Sequence, residues 1–495
     1  MIYESFKRLR EETPNASAFL IASGDRSVAI NWRQFTDDID IVVRLIREYA
    51  PGAKIALLGE NSYEWMVAHA AILFAGGTVV PIDMNLNAPE IAQRLRFVGA
   101  RALIYSSLYE EKAKDVGDQL PGVVVAGFGS LKTERFLDKV RSFFTLKDSI
   151  WSNRARVADN EMTSMIVFTS GTTSEPRGVE LTIKAIETFI RSSELSVPMN
   201  FGERSLMLLP LNHIYGICVA YMMLVKGVAL GVCPDFRRIY DAFERFRVNF
   251  AFLVPALADL IASKIAKRGA SAEEALGQPL NWICTGGAPL ARRTYEELTA
   301  LGVKTLCAYG LTETCACFSM SCTKDAPHPC SAGKASQLLE VETKVSPEGE
   351  LMIRGPNVMK GYYKRPEKTA AVLDDEGWFH TGDRGRIDSD GYVWVEGRAS
   401  RTIVLSSGKK VAPEELEDKL MLLPGVLEAL VSGEGESREI KAEVYASVSE
   451  EAVRQIIGEF NLTLPVYQRI HTIVVRKEPF VRTTSGKIKL EAAKK

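Results

Sequence analysis

Residues 54–82 read KIALLGENSYEWMVAHAAILFAGGTVVPI. Lys54–Leu58 reads as a buried strand, Ser62–Phe74 as a helix and Thr78–Ile82 as a second strand, which together make a βαβ unit. The alternation recurs on either side. Leu103–Tyr105, Val123–Val125, Leu206–Leu209, Phe250–Val254, Trp282–Cys284 and Thr305–Cys307 read as strands, several of them followed by helical patterns. Strands alternating with helices predict a layered α/β architecture. Apolar and charged residues fall at helical spacing from Arg292 to Leu301, so Gly286-Gly287-Ala288-Pro289-Leu290 is the strand-to-helix loop before that helix. Loops at the carboxyl ends of such strands carry ligand sites.

From about Glu340 the texture changes to short alternating strands, Glu350–Arg354 and Tyr392–Glu396, between glycine-rich turns. After Gly397-Arg398 come a charged stretch, a helix from Pro413 to about Leu422 and a compact α+β tail of about 100 residues, enough for one small domain. At 495 residues the chain exceeds what one hydrophobic core supports. The expected organisation is therefore a large domain over 1–397, with a β-rich subdomain over about 335–397, and a small mobile domain over 398–495. No internal repeat or low-complexity tract interrupts it.

Composition excludes several classes of partner. With 46% hydrophobic and 25% charged residues the chain is an ordinary globular protein, and 61 basic residues against 62 acidic ones leave a net charge of −1. That balance gives no electrostatic argument for nucleic acid or an anionic membrane. Met1–Arg8 lacks a basic start followed by an apolar run, and no later segment stays apolar for a membrane span, so a cytoplasmic location is expected. Cys315, Cys317, Cys322 and Cys330 cluster around His328, but their spacing matches no paired C-x-x-C arrangement, while Cys218, Cys233, Cys284 and Cys307 are scattered through apolar stretches. Reduced thiols are the expectation.

The chemistry concentrates in Ile166-Val-Phe-Thr-Ser-Gly-Thr-Thr-Ser-Glu-Pro-Arg-Gly178, where an apolar strand runs into a loop crowded with hydroxyls and glycines. Thr169, Ser170, Thr172 and Thr173 each offer a hydroxyl and a backbone N–H, Gly171 and Gly178 permit close approach of the main chain, and Arg177 adds charge; the set suits a polyphosphate. No Gly-Lys-Ser/Thr closes the loop and Pro176 stands where a helix would begin, so it is not the Walker pattern. Four further segments follow in order: Tyr309–Thr314, Gly377–Gly385, Gly397-Arg398 with Ser407–Glu417, and Thr484–Ile488.

These five segments, in this order from about Ile166 to Ile488, resemble the adenylate-forming superfamily of acyl- and aryl-CoA synthetases, adenylation domains of peptide synthetases and beetle luciferases. Within it, Val404–Glu417 is most similar to long-chain fatty acyl-CoA or acyl-carrier-protein synthetases. The resemblance implies ATP-dependent formation of an acyl-AMP with loss of pyrophosphate, then attack by the thiol of CoA, with Mg²⁺ required. It further implies roles for particular residues. Thr169, Ser170, Gly171, Thr172 and Thr173 would hold the β- and γ-phosphates, with Arg177 in place of the more usual lysine. Tyr309 and Gly310 would lie at the adenine, with Gly286, Gly287 and Ala288 walling its other side. Thr312 would contact the α-phosphate, Glu313 would ligate Mg²⁺, Asp383 would accept the ribose hydroxyls with help from Arg398, and Lys487 would be the catalytic cation. His213, Tyr215 and Gly216 would line the acyl pocket, Ser400 would sit at the domain hinge, and Ser407, Gly408 and Lys409 would form the loop on the CoA side. His380 would orient its own loop.

The chain departs from the family pattern at Ser174, where glycine is common, at Arg177, and at Ser400, where aspartate or lysine is usual. None of these removes a group that the chemistry requires. An enzyme that loads an amino acid onto a carrier protein would hold the ammonium with an aspartate soon after Pro210–Gly216, whereas Ile217–Val225 is apolar throughout, which favours an acyl or aryl acid. The other readings are an acyl carrier protein as acceptor and a non-catalytic nucleotide-binding protein.

Overall fold

The computed structural model describes residues 1–23, 26–128, 161–169, 176–233, 238–269, 271–316, 318–324, 328–329, 331–335, 340–405, 409–434, 439–482 and 488. The βαβ unit at 54–82 forms as its pattern predicts. Lys54–Leu58 and Thr78–Ile82 pair in parallel, Lys54 opposite Thr78, and the helix Tyr63–Phe74 crosses between them. Ser62 caps that helix by accepting from the Trp65 N–H, and eleven of its twelve residues are buried, so it is an interior helix and not an amphipathic surface one.

This unit is the centre of a seven-stranded sheet. Its order is Gly361–Tyr362, Arg177–Thr182, Thr163–Thr169, Thr78–Ile82, Lys54–Leu58, Ala102–Tyr105 and Val124–Gly127. The last five run parallel, while Thr163–Thr169 and Arg177–Thr182 form an antiparallel hairpin on one side, with Gly361–Tyr362 antiparallel at its outer edge. The strands on either side of the hydroxyl-rich segment therefore pair with each other. Pro176 precedes a strand, and no helix starts there.

A second sheet runs Phe250–Leu253, Trp282–Thr285, Lys304–Tyr309 and Ser319–Met320, its first three strands parallel and the last antiparallel. A third joins Arg26–Asn31, Ser17–Ser23, Ala229–Val232 and Arg204–Leu206. The strand expected over Leu206–Leu209 starts earlier and ends at Leu206; only the Met207 N–H continues the ladder, to the Gly231 carbonyl at 2.9 Å. Burial explains the error: Met207, Leu208 and Leu209 are as apolar as a strand but pack as a buried loop. The main core spans helices Tyr63–Phe74, Ile183–Ser196 and Ile214–Val225 together with the seven-stranded sheet.

The β-rich texture after Glu340 is a four-stranded antiparallel sheet, Glu342–Val345, Glu350–Arg354, Phe379–Ile387 and Val393–Arg398. Beyond it lie the helix Pro413–Met421, a three-stranded sheet of Val426–Glu434, Glu439–Ala446 and Ile470–Arg476, and the helix Glu450–Thr463, built round a core of their own. No described helix is long and apolar enough to cross a membrane.

Candidate active site

Thr169 ends one hairpin strand and stands opposite Arg177, the first residue of the other. Ser170, Gly171, Thr172, Thr173 and Ser174 lie outside the described residues. A Cβ on Gly178 would come within 2.7 Å of the Ile166 side chain, so this glycine serves the close packing of the hairpin. The Arg177 guanidinium sits over the ring of Tyr362, 5.3 Å from its centroid.

Tyr309 closes the strand Lys304–Tyr309, and Gly310 leads into a single turn, Thr312–Thr314. The Tyr309 hydroxyl donates to Oδ2 of Asp383, whose Oδ1 takes the Arg398 Nε at 2.9 Å. Asp383 and Arg398 are cross-strand partners, and Asp383 is 4% exposed. Burial, then the charge of Asp383 and the bond to it, push the Tyr309 phenol well above its ordinary pKa, so it keeps its proton and donates. The loop is held from behind: the Asp383 N–H bonds Thr381 Oγ1 at 3.0 Å, Thr381 Oγ1 donates to the Leu351 carbonyl at 2.7 Å, and Arg398 Nη1 donates to the Thr381 carbonyl at 3.2 Å. Both Asp383 oxygens thus take part in binding, and a carboxylate oxygen can accept two bonds. Phe318 meets the Tyr309 ring edge-on at 4.7 Å. His380 bonds Glu350 at 3.0 Å, and Glu350 also accepts from the Gly382 N–H at 2.8 Å.

Glu313 lies in the turn after Thr312. Its Oε1 accepts from the Tyr362 hydroxyl at 2.9 Å and its backbone carbonyl from the Met359 N–H at 2.8 Å. Burial and the adjacent Glu313 carboxylate raise the Tyr362 phenol above its ordinary range. Sequence reasoning did not single out Tyr362. Its only signal is a tyrosine in an edge segment distant in sequence from both Glu313 and Arg177.

His213 stands at the entrance of the helix Ile214–Val225, with its N–H on the Pro210 carbonyl at 3.1 Å. A Cβ on Gly216 would lie 2.4 Å from that same Pro210 oxygen, so Gly216 faces its own entry loop and permits the helix to close on it. Tyr215 turns the other way: a Cβ on Gly286 would meet its ring at 3.0–3.1 Å. The fold thus brings Tyr215, one of the residues expected at the acyl pocket, against Gly286 of the turn expected at the adenine. Asn61, also missed, is 8% exposed and fixes the entry loop with three bonds, to the Met207 and Leu209 carbonyls and from the Leu211 N–H, at 2.8–3.0 Å.

Ser400 is exposed in the turn Ala399–Arg401. Beside it Arg401 bonds Glu414 at 3.0 Å and Glu417 at 2.5 Å, and the Arg398 N–H reaches Glu414 at 3.3 Å. Lys409 is exposed, its ammonium 4.3 Å from the ring centroid of Tyr467. Ser407, Gly408 and Lys487 lie outside the described residues.

The architecture is that of an adenylate-forming synthetase. ATP-bound MatB from Rhodopseudomonas palustris superposes with a TM-score of 0.86 at 22% identity, covering 100% of this chain and 98% of that one. O-succinylbenzoate coenzyme A synthetase from Bacillus subtilis, solved with ATP and magnesium ion, gives 0.79 at 24% identity over 98% of each chain. The model of the AMP-binding enzyme family matches residues 6–363, and the chain belongs to that family. Among its relatives are the long-chain-fatty-acid–CoA ligase FadD13 of Mycobacterium tuberculosis, 27% identical over 453 residues and covering 89% of this chain and 87% of that protein, and indoleacetate–CoA ligase of Aromatoleum aromaticum, 29% identical over 402 residues, 78% and 76%. The expected enzyme class, an AMP-forming acid–thiol ligase, is borne out with the family.

Proposed function

We propose that the protein activates a fatty acid with ATP, forming an acyl-adenylate and releasing pyrophosphate, and then passes the acyl group to the thiol of CoA. The observation that carries this reading is the convergence of Tyr309, Asp383 and Arg398 at the end of the strand whose next turn holds Glu313. Asp383, a buried carboxylate oriented by Tyr309 and Arg398, takes the two ribose hydroxyls, and Tyr309 offers the adenine a flat ring. The Gly286-Gly287-Ala288 turn walls the base. Thr312 faces the α-phosphate, while Thr169–Thr173 and Arg177 hold the β- and γ-phosphates. The acid's carboxylate attacks the α-phosphorus, and Lys487 meets the charge that develops between carboxylate and phosphate.

Glu313 is the residue that would hold Mg²⁺. No group of three or more His, Cys, Asp or Glu side chains able to hold a metal lies among the described residues, and Mg²⁺ is commonly bound by one or two carboxylates together with substrate phosphates, so a single glutamate fits. Bound there, the ion would neutralise phosphate charge.

An apolar acid, and not an amino acid, is supported by the helix that follows His213. Ile214–Val225 carries no charged residue and is buried at eleven of its twelve positions. An ammonium on the substrate would find no carboxylate partner on that helix. The test is pyrophosphate release from Mg·ATP across fatty, aryl and amino acids, with and without CoA. Release with fatty acids and a thioester only when CoA is present supports the reading. Release with aryl or amino acids alone replaces the substrate class, and release without a CoA product replaces the acceptor by a carrier protein.

A further inference from the structure

One short strap of chain, 359–363, is bonded to both sides of the phosphate-handling region. On one side the Met359 N–H donates to the Glu313 carbonyl at 2.8 Å. On the other, the Lys360 N–H donates to Glu180 at 3.0 Å and the Tyr363 N–H to Gly178 at 2.8 Å, which ties the strap along the strand that leaves the hydroxyl loop. Gly361 and Tyr362 stand opposite Glu180 and Val179 in antiparallel register. In the middle, Tyr362 is 6% exposed, its N–H is held by Thr369 Oγ1 at 2.9 Å, its hydroxyl donates to Glu313 and its ring lies under Arg177.

We infer that Tyr362 is a positioning residue for acid activation, fixing the Glu313 carboxylate relative to the phosphate-holding hairpin through its hydroxyl and fixing Arg177 through its ring. This rests on the roles proposed above for Glu313 and Arg177. Among the described residues only Oε1 of Glu313 is hydrogen-bonded, which leaves Oε2 oriented but uncommitted. A glutamate has three side-chain torsions to fix, and a bond that fixes them before the ligand arrives removes that cost from the binding step. The ring contact also gives the arginine a physical reason. A planar guanidinium covers an aromatic face as a compact ammonium cannot, so arginine at 177 and tyrosine at 362 act as a pair.

The experiment compares Tyr362→Phe, Tyr362→Leu and Glu313→Gln with the wild type. Calorimetry follows binding of a non-hydrolysable ATP analogue over a series of Mg²⁺ concentrations, beside pyrophosphate release and thermal melting. Removing one bond to a charged group is expected to raise the Mg²⁺ concentration for half-maximal binding about tenfold in Tyr362→Phe. Acyl-adenylate formation slows by a similar factor, while melting and thioester formation from preformed acyl-adenylate stay at wild-type values. Tyr362→Leu, which removes the ring as well, also weakens analogue binding at saturating Mg²⁺. Binding curves for Tyr362→Phe that coincide with wild type at every Mg²⁺ concentration overturn the inference, as does a loss of activity that only tracks a fall in melting temperature. If Glu313→Gln also leaves the Mg²⁺ dependence unmoved, the reading of Glu313 has failed; if it moves the dependence and Tyr362→Phe does not, the inference alone has failed.

Discussion

Asp383 is nearly buried, and Arg398, which pairs with it, has a side chain 43% exposed. Asp383→Asn keeps the shape but removes the charge, so nucleotide loses a strong acceptor for its ribose while Arg398 loses its partner. ATP and AMP affinities should both fall, by about ten- to a hundredfold, since bonds to charged groups contribute about 1.5–3 kcal/mol each. Unchanged AMP binding by equilibrium dialysis would remove Asp383 from the nucleotide site. Far from it, His69 is fully buried, stacked on Trp65, with Nδ1 on the Tyr221 hydroxyl at 2.8 Å. Burial lowers its pKa to about 3. The unfolded chain takes up this proton below about pH 6.5 and the folded one refuses it until about pH 3, so stability present above pH 6.5 is lost as pH falls toward 3. Between pH 7 and pH 5 the wild type should lose about 2 kcal/mol more than His69→Gln. Urea unfolding at the two pH values measures the difference, and equal losses would mean that His69 ionises in the folded state.

At the scale of elements, the proposed reaction has the helix Ile214–Val225 receive the acid. Gly216→Ala drives a Cβ against the Pro210 carbonyl, and backbone cannot give way as a side-chain end does. The entry loop held by Asn61 should shift, at a cost of about 1–3 kcal/mol. The expected outcome is a higher KM for the acid and a lower melting temperature with ATP affinity kept; an unchanged KM would place the acid elsewhere. Elements of this kind were legible where one period dominates. The βαβ unit and the strands at 250, 282 and 350 stand where their patterns put them, because each is a buried run between turn residues. Leu206–Leu209 misled because an apolar loop buried against Asn61 reads like a strand. The hairpin behind the hydroxyl loop was not foreseen, since antiparallel pairing is fixed by register and not by composition. Of the site, the groups with distinctive chemistry, Glu313, Asp383 and Tyr309, announce themselves in motifs. Tyr362 and Asn61 do not, because each acts on a segment between roughly 50 and 185 residues away, and a long-range contact leaves no local trace.

Over the whole molecule, the residues of the proposed reaction are dispersed from Thr169 to Lys487, and the last of them lies beyond the Arg398–Arg401 turn. Two half-reactions can then use different residues at different times, with that turn as the proposed pivot. Lys487→Ala should slow acyl-adenylate formation by on the order of 10²–10³ and leave thioester formation from preformed acyl-adenylate largely intact. Equal loss in both half-reactions would reject a role confined to activation. The Arg401–Glu414–Glu417 cluster beside the proposed pivot pins the helix Pro413–Met421 to the turn, which on that proposal makes the two move as one piece. The strap at 359–363 has a consequence of another kind, for the order in which the protein is made. The strand Arg177–Thr182 leaves the ribosome some 180 residues before the segment that covers its outer edge. Until Gly361–Tyr362 emerges, that edge offers unpaired backbone groups to any passing strand, so the nascent chain is exposed to wrong pairing beside its hydroxyl-rich segment through more than a third of its synthesis.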